Sequence, residues 1–287
     1  MLRTRARALG YLLPSLAIFA VFFVYPILSC LWLSLHRWDL LGEPQWVGAH
    51  NYQRLLSGDA LGPVLVRTLL YAAGTVAGSM AGGLLLALAV HRTGRIGGAI
   101  RSAIFASYVV SWVGVSLLWS YLLDGQVGPI SGALRSVGLP ALDWLGDPDL
   151  ALGSLVLVSI WKIVGYDMVL YLAALEDIAP ELREAAALDG ASAWQTFRHV
   201  LWPLLRPTTA FLLVTGTIMS FQGFDVVRVM TGGGPANATQ IYVHWVYEQA
   251  FAYFRIGPAS AAVVLFLVPL GILTWLGRRV GRGEGVL

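Results

Sequence analysis

Six stretches of this chain are apolar over about 20 residues or more, and their length constrains the fold more than any other feature of the sequence. A helix needs roughly 20 mainly apolar residues to cross the hydrocarbon core of a membrane. Windows that meet this requirement lie at residues 9–35, 64–90, 104–123, 150–175, 208–229 and 260–276. The sequence therefore predicts an all-α integral membrane protein, in which a single domain, residues 1–287, forms a six-helix bundle in contact with membrane lipid.

Composition supports this prediction. Hydrophobic residues make up 57% of the chain and charged residues only 12%, whereas a soluble domain carries about 25% charged residues. The formal net charge is +3. In a membrane protein a basic excess usually reflects arginines in cytoplasmic loops, so we expect no nucleic-acid partner.

Arginine placement predicts which loops face the cytoplasm. With six spans, both termini lie on the same side of the membrane. The segments on that side hold twelve arginines, and the segments on the opposite side, span ends included, hold six, so the termini and the loop around Glu184 are predicted to be cytoplasmic. The twelve are Arg3, Arg5, Arg7, Arg92, Arg95, Arg101, Arg183, Arg198, Arg206, Arg278, Arg279 and Arg282, and the six are Arg37, Arg54, Arg67, Arg135, Arg228 and Arg255.

The first apolar window follows three arginines, as the core of a signal peptide does. This window is too long for such a core, and no small-residue cleavage site precedes the polar sequence. We therefore predict an uncleaved first span, with a cleaved signal peptide as the alternative.

The chain offers no pattern typical of catalysis. Cys30 is the only cysteine and Lys162 the only lysine. Since Trp161 precedes that lysine, a standard phosphate-binding loop with Gly-Lys-Ser/Thr is excluded. No His-Glu-x-x-His or Gly-x-Ser-x-Gly pattern occurs. We predict that this chain is not an enzyme and holds no metal ion or cofactor of its own.

A polar, helix-forming segment at residues 180–203 interrupts the apolar windows. Pro180 suits the first position of a helix, and Glu184 lies near the N-terminus, where the helix dipole favours acidic side chains. Gly190 suits the left-handed position that ends a helix. Ser192 and Gln195 have the spacing of a capping box that begins a second helix. The segment is predicted to be a helix, a sharp turn and a helix along the membrane face.

The second helix of this segment carries an apolar stripe of Trp194, Phe197 and Leu201. Pro203 is predicted to end it, and Pro207 to introduce the next span. Physical reasoning alone leaves open that the segment is a plain interfacial hairpin between two spans.

The order of residues in this segment is more specific, and it resembles the coupling loop of ABC importer permeases, on which a cytoplasmic ATPase docks. One mild departure is Val-Leu-Trp-Pro at residues 200–203, in place of the usual Ile-x-Leu-Pro ending. The positions that carry the resemblance, and that it implies contact the ATPase, are Glu184, Ala185, Ala186, Asp189, Gly190, Ala191, Trp194, Phe197 and Pro203.

A second segment narrows the resemblance to carbohydrate-importer permeases of the maltose, lactose and glycerol-phosphate type. Residues 230–235, Met-Thr-Gly-Gly-Gly-Pro, cannot continue a helix and predict a turn at the outer surface. Together with Tyr247-Glu248 and Ile256-Gly257 they are similar to that class, as are residues 35–38 and 47–52. The chain resembles the compact six-span form, without the large insert of the enteric maltose subunit.

This resemblance implies an assembly in a bacterial or archaeal cytoplasmic membrane. A second permease subunit would complete the path, and two cytoplasmic ATPase subunits would bind ATP and Mg²⁺. An extracytoplasmic solute-binding protein would deliver a sugar or sugar-like solute, and alternating access would move it. The sequence does not name the solute.

Four polar residues at membrane depth are candidates for the solute path: Lys162, Tyr166, Gln222 and Asp225. A lysine in the middle of a span costs at least a few kcal/mol unless it faces a cavity or a partner. Structural contacts between helices are the alternative for all four. A stand-alone secondary transporter is the rival function; it would make Asp167, Asp225 and Lys162 ion-coupling residues, and it leaves the polar 180–203 segment unexplained.

Overall fold

The computed structural model describes residues 2–91, 94–221 and 223–283, and this part of the chain is mostly helical. Within these residues, the secondary structure consists of α-helices, three short π-helical turns and one antiparallel pair of two-residue strands. The strands are β1 (His36–Arg37) and β2 (Gln45–Trp46), and the π-helical turns are Ala20–Val24, Phe197–Leu201 and Glu248–Ala252. The α-helices are α1 (Leu2–Phe19), α2 (Tyr25–Ser34), α3 (His50–Ser57), α4 (Leu61–Val90), α5 (Gly94–Val109), α6 (Trp112–Leu122), α7 (Pro129–Ser136), α8 (Pro148–Glu176), α9 (Pro180–Leu188), α10 (Ala193–Thr196), α11 (Trp202–Phe221), α12 (Phe224–Met230), α13 (Tyr242–Tyr247) and α14 (Ile256–Gly283).

Within the described residues, four helical stretches are long and apolar enough to cross a membrane, or five if one bent pair counts as a span. Three of them agree closely with predicted windows one, two and four, the last overlaps only part of the fifth window, and a shorter apolar stretch, Ile256–Pro269, overlaps the sixth. The all-α membrane architecture is confirmed, and the count of six spans stays a prediction. The four stretches are Tyr11–Ser34, Leu61–Val90, Pro148–Glu176 and Ala193–Phe221.

The third window, residues 104–123, is not one straight helix. It contains the end of α5 and the whole of α6, and the two helices meet at an angle of 100°. Ser111 at the break has extended backbone angles, with ψ at 140°. The Lys162 side chain bonds the Tyr108 carbonyl beside the break, which gives that carbonyl a partner outside the helix.

The fifth window begins earlier than predicted. Helical structure runs from Ala193 to Phe221, so the prediction that Pro203 ends one helix and Pro207 begins another was wrong. A proline inside an α-helix clashes with the carbonyl four residues before it. The π-helical turn Phe197–Leu201 directly precedes α11 and widens the backbone there, with the Trp202 N–H bonded to the Phe197 carbonyl. Pro203 is thereby accommodated near the start of α11.

The chain divides into two compact units, which we call the terminal unit (residues 1–61 and 246–270) and the bundle unit (residues 62–245 and 271–287). The bundle unit has two apolar clusters. One joins Ala87 and Val90 at the end of α4 with Tyr171 and Leu175 on α8 and Leu205 on α11. The other surrounds the opposite end of α8, with Leu155 and Val158 packed against α4, α6 and α12.

Helices α5 and α8 approach closely in the bundle unit. A Cβ atom on Gly165 would lie 2.6 Å from the Ile104 carbonyl oxygen, so only glycine fits this crossing. The Ser107 hydroxyl donates to the Trp161 carbonyl at 3.1 Å. Small residues at helix crossings in membranes allow such backbone approach, and this crossing positions Lys162 beside the end of α5.

Candidate functional site

The turn of the 180–203 segment has the backbone geometry that the sequence predicts. Gly190 has a φ of +76°. Its N–H donates to the Ala187 carbonyl at 3.1 Å, and the Ala191 N–H donates to the Ala186 carbonyl at 2.9 Å. These two bonds form a Schellman motif. Glycine is the residue that adopts such a φ without steric cost, so Gly190 fixes where α9 ends.

The predicted capping box is also present. The Gln195 N–H donates to the Ser192 hydroxyl at 3.3 Å, and the Ser192 N–H donates to the Gln195 side-chain oxygen at 2.7 Å. Both bonds satisfy N–H groups that a helix N-terminus leaves without intrahelical partners. The two motifs follow each other directly, so the direction of α10 relative to α9 is set by local hydrogen bonds.

The segment exposes an unusual amount of apolar surface. Leu188 is 89% exposed and Trp194 is 65% exposed. Neither α9 nor α10 contains a buried residue. Exposed apolar side chains grouped on a polar segment are typical of a contact surface for another protein. Of the predicted contact positions, Glu184, Ala185, Asp189, Gly190 and Trp194 are exposed, and Ala186, Ala191, Phe197 and Pro203 are half-buried.

The aromatic stripe connects this surface with the core. Trp194 stacks on Phe197 with ring centroids 5.6 Å apart, and Phe197 lies 6.2 Å from the Trp202 ring. Phe197 also packs against the apolar cluster that contains Leu201 and Leu205. The predicted stripe therefore runs from an exposed ring at Trp194 to a buried side chain at Leu201.

Arg183 joins α9 to the ends of two membrane helices, a connection that sequence reasoning missed. Its Nη1 lies 2.6 Å from His91 Nε2, and its Nη2 donates to the Leu175 carbonyl at 2.9 Å. Arg101 makes a similar link, since it donates to the Val90 carbonyl at 3.1 Å and pairs with Glu176 at 3.2 Å. The available signal was a basic residue in the N-terminal half of a helix, where the dipole disfavours it.

A cavity of about 610 Å³ lies in the bundle unit beside the break between α5 and α6. Its lining is mostly apolar with a few polar groups: Tyr71, Tyr108 and Trp112 supply rings, and Ser111 and Ser220 supply hydroxyl groups. Rings and hydroxyls together suit a polyhydroxylated solute, which stacks its apolar face and hydrogen-bonds at its edge. The other lining residues are Phe105, Val109, Val110, Lys162, Ile163, Met219, Gly223, Asp225 and Val226.

Lys162 lines this cavity but is only 3% exposed. Its Nζ donates to the Tyr108 carbonyl and lies 5.2 Å and 5.3 Å from the ring centroids of Tyr108 and Trp112. A cation at the C-terminal end of α5 is stabilised by the helix dipole, and the two rings add cation–π attraction. Among the described side chains, no carboxylate lies within 4.0 Å of its Nζ.

The other three candidates for the solute path are placed differently. Asp225 is exposed and lines the cavity. Tyr166 stacks on Tyr108 at 4.9 Å and is not among the lining residues. Gln222 lies outside the described residues. Asp167, which the rival function uses, is buried where α8 meets α4 beside Gly83, so the structure does not join it to the cavity.

Long apolar helices, an exposed helix–turn–helix between two of them and a cavity beside a broken helix are features expected of a membrane transport subunit. The chain belongs to the family of binding-protein-dependent transport system inner membrane components, whose model matches residues 74–283. It is therefore an inner-membrane protein, and the class predicted from the sequence is confirmed.

Two curated relatives match nearly the whole chain. The sn-glycerol-3-phosphate transport system permease protein UgpA of Agrobacterium fabrum is 34% identical over 272 residues, which cover 93% of this chain and 92% of the relative. The trehalose/maltose transport system permease protein MalF of Thermococcus litoralis is 31% identical over 287 residues, covering 98% and 96%. Both relatives are permease proteins of transport systems, so neither name indicates an enzyme.

The fold also matches a solved structure over nearly the whole chain. A chain of a bacterial ABC transporter that imports the acidic polysaccharide alginate superposes with a TM-score of 0.85, covering 98% of this chain and 97% of that one. The sequence identity is 23%, so this likeness defines the fold and not the solute.

Proposed function

We propose that this chain is a permease subunit of an ATP-driven, binding-protein-dependent importer for a sugar or sugar-like solute. The observation that carries the proposal is the exposed helix–turn–helix at residues 180–203, which is fixed by the Gly190 and Ser192–Gln195 hydrogen bonds and presents Leu188 and Trp194 outward. Family membership and two permease relatives support it. A cytoplasmic ATPase subunit docks on this surface, and ATP and Mg²⁺ bind in that partner.

The rest of the assembly follows from the same proposal. A second permease subunit completes the translocation path, the two chains alternate their access, and an extracytoplasmic binding protein supplies the solute. A similar solved structure is a bacterial alginate ABC transporter in complex with a pentasaccharide-bound periplasmic protein, which supports a partner of this kind. Relatives act on sn-glycerol-3-phosphate and on trehalose or maltose, and all these compounds carry several hydroxyl groups.

The proposed solute path passes through the cavity beside the α5–α6 break. Tyr108 and Trp112 present rings for stacking on a sugar ring, and Asp225 presents a carboxylate to its hydroxyl groups. Lys162 positions Tyr108 by a hydrogen bond to its carbonyl and Trp112 by a cation–π contact with its ring. Gln222 and Tyr166 stay predicted members of this path.

The proposed orientation has both termini and the 180–203 segment in the cytoplasm. In a Cys30→Ser background, we expect single cysteines at the exposed positions Gln53 and Ala236 to react with an impermeant maleimide in intact cells. A cysteine at the exposed position Ala193 is expected to react only after permeabilisation. Labelling of Ala193→Cys in intact cells would remove the ATPase dock from the proposal.

Arg183 is expected to transmit movement of the docked segment to the membrane helices. Arg183→Met removes its bonds to His91 and to the Leu175 carbonyl. A hydrogen bond to a charged group contributes about 1.5–3 kcal/mol, so we expect solute uptake per ATP hydrolysed to fall about tenfold. The measurement is uptake and ATPase activity of the same reconstituted complex.

Arg135→Met is the matched control, because Arg135 also donates to a backbone carbonyl, that of Gln126 at 2.7 Å, and lies outside the 180–203 segment. It should leave the uptake-to-ATP ratio near that of the wild type. An unchanged ratio in Arg183→Met would show that the link is only structural.

A further inference from the structure

A basic pocket of about 430 Å³ lies in the terminal unit, and none of its lining residues belongs to the sites described above. Arg37, Arg54 and Arg255 line it together with a single carboxylate, Asp39. In the described part of the chain, no carboxylate comes within 4.0 Å of these three guanidinium groups. Asp39 instead accepts the Leu41 N–H at 3.1 Å. Three cations against one anion leave the pocket with net positive charge and open donor groups.

The backbone around this pocket is held rigidly. The Asn51 side chain donates to the Ser34 and His36 carbonyls at 2.8 Å and 2.9 Å. The Ile256 N–H donates to the Trp38 carbonyl at 3.0 Å, which ties the start of α14 to the segment after α2. Phe254, at the pocket wall, has a φ of +54°. A non-glycine residue in this conformation persists where surrounding structure holds it, often at a binding site.

The position of the pocket indicates the environment of its ligand. It lies where the apolar stretch Tyr11–Ser34 ends and Ile256–Pro269 begins, which is the level of lipid headgroups for helices that cross a membrane. Phe254 in the pocket wall is exposed, and so is Tyr253, whose ring centroid lies 5.7 Å from the Arg255 guanidinium carbon. Aromatic side chains concentrate at this level, so the charged pocket is bordered by surface suited to glycerol and acyl groups.

We propose that this pocket binds the phosphate of an anionic phospholipid headgroup. Guanidinium groups bind phosphate through paired N–H bonds, a geometry that favours arginine over lysine. The net positive charge selects a lipid with net negative charge over a zwitterionic one, and the exposed Tyr253 and Phe254 contact its apolar part. The proposal depends on the chain lying in a membrane and not on its transport activity.

The test measures phosphatidylglycerol retained by the complex that co-purifies with the tagged chain, by native mass spectrometry after exchange into mixed lipid. Wild type is expected to retain phosphatidylglycerol in preference to phosphatidylcholine. Arg37→Gln with Arg54→Gln is expected to weaken that retention about 30-fold, since each arginine near a membrane surface contributes about 1 kcal/mol. Arg135→Gln is the matched control, because Arg135 is an exposed arginine outside the pocket that donates to the Gln126 carbonyl.

Three results would overturn the proposal. The first is equal retention in wild type and the double variant, or equal loss in Arg135→Gln. The second is displacement of the lipid by millimolar inorganic phosphate, which would make the site one for a free anion. The third is unchanged lipid retention with lost stimulation by the binding protein, which would assign the arginines to an acidic protein partner. If the double variant does not assemble, Arg255→Gln alone is compared with Arg135→Gln, with the same expected order.

Discussion

Gly190→Val is expected to abolish solute uptake while the chain still inserts in the membrane and reaches wild-type amounts. The φ of +76° at Gly190 is unfavourable for any L-residue and most of all for a β-branched one. A valine there shifts the backbone and breaks the bonds to Ala186 and Ala187. The exposed Leu188 and Trp194 then lose their fixed relation on either side of the turn, and the surface no longer fits the ATPase.

Gly138→Val separates this effect from backbone strain. Gly138 has a φ of +79°, and a Cβ atom there meets nothing within 4 Å, as at Gly190. Both substitutions therefore introduce similar strain, on the order of 1–2 kcal/mol, at open surface positions. Uptake by reconstituted complexes should be lost only in Gly190→Val. Equal uptake by both variants would contradict a docking role for the segment.

The features that the sequence predicts correctly in this segment are those that local chemistry determines. A helix that ends at a left-handed glycine and a second helix that begins at Ser192 with Gln195 require only residues within six positions of each other. The structure shows both sets of bonds. Span positions are predicted for a similar reason, because length and hydropathy are properties of one continuous stretch.

The features that sequence reasoning missed depend on distant partners or on backbone adjustment. The 100° bend after α5 is supported by Lys162, which is 54 positions from Tyr108. Arg183 and His91 are 92 positions apart, and no local pattern links them. The sequence predicts that Pro203 ends one helix and Pro207 begins the next, since no residue near them indicates a π-helical turn.

The candidate site also has some features that the sequence predicts and others that depend on distant partners. Lys162 was recognisable as a buried cation in a span, and the structure places it at the cavity. Its bond to the Tyr108 carbonyl was not predictable. The basic pocket was not predictable from the sequence. Arg37, Arg54 and Arg255 contribute there only to the count of arginines that predicts the outer side of the membrane. Their convergence depends on contacts between α14 and the segment after α2.

Lys162→Met is expected to reduce uptake strongly without disrupting the complex. Methionine has a similar length and fills the same space. It leaves the Tyr108 carbonyl without its side-chain donor and removes the cation between the Tyr108 and Trp112 rings. These groups hold the break that borders the cavity. Loss of a bond to a charged donor, about 1.5–3 kcal/mol, corresponds to a decrease in uptake on the order of tenfold to a hundredfold.

The assembly result distinguishes two roles for this lysine. If Lys162 neutralised a buried carboxylate, Lys162→Met would leave that carboxylate unpaired, which costs about 3–5 kcal/mol and should prevent assembly. No described carboxylate lies within 4.0 Å of Nζ, so we expect the complex to co-purify in normal amounts. Lys162→Arg, which keeps a cationic donor, should retain more uptake than Lys162→Met. Loss of the complex in Lys162→Met would contradict the absence of a carboxylate partner for Nζ among the described residues. Full uptake with normal assembly would contradict any role for Lys162 at the cavity.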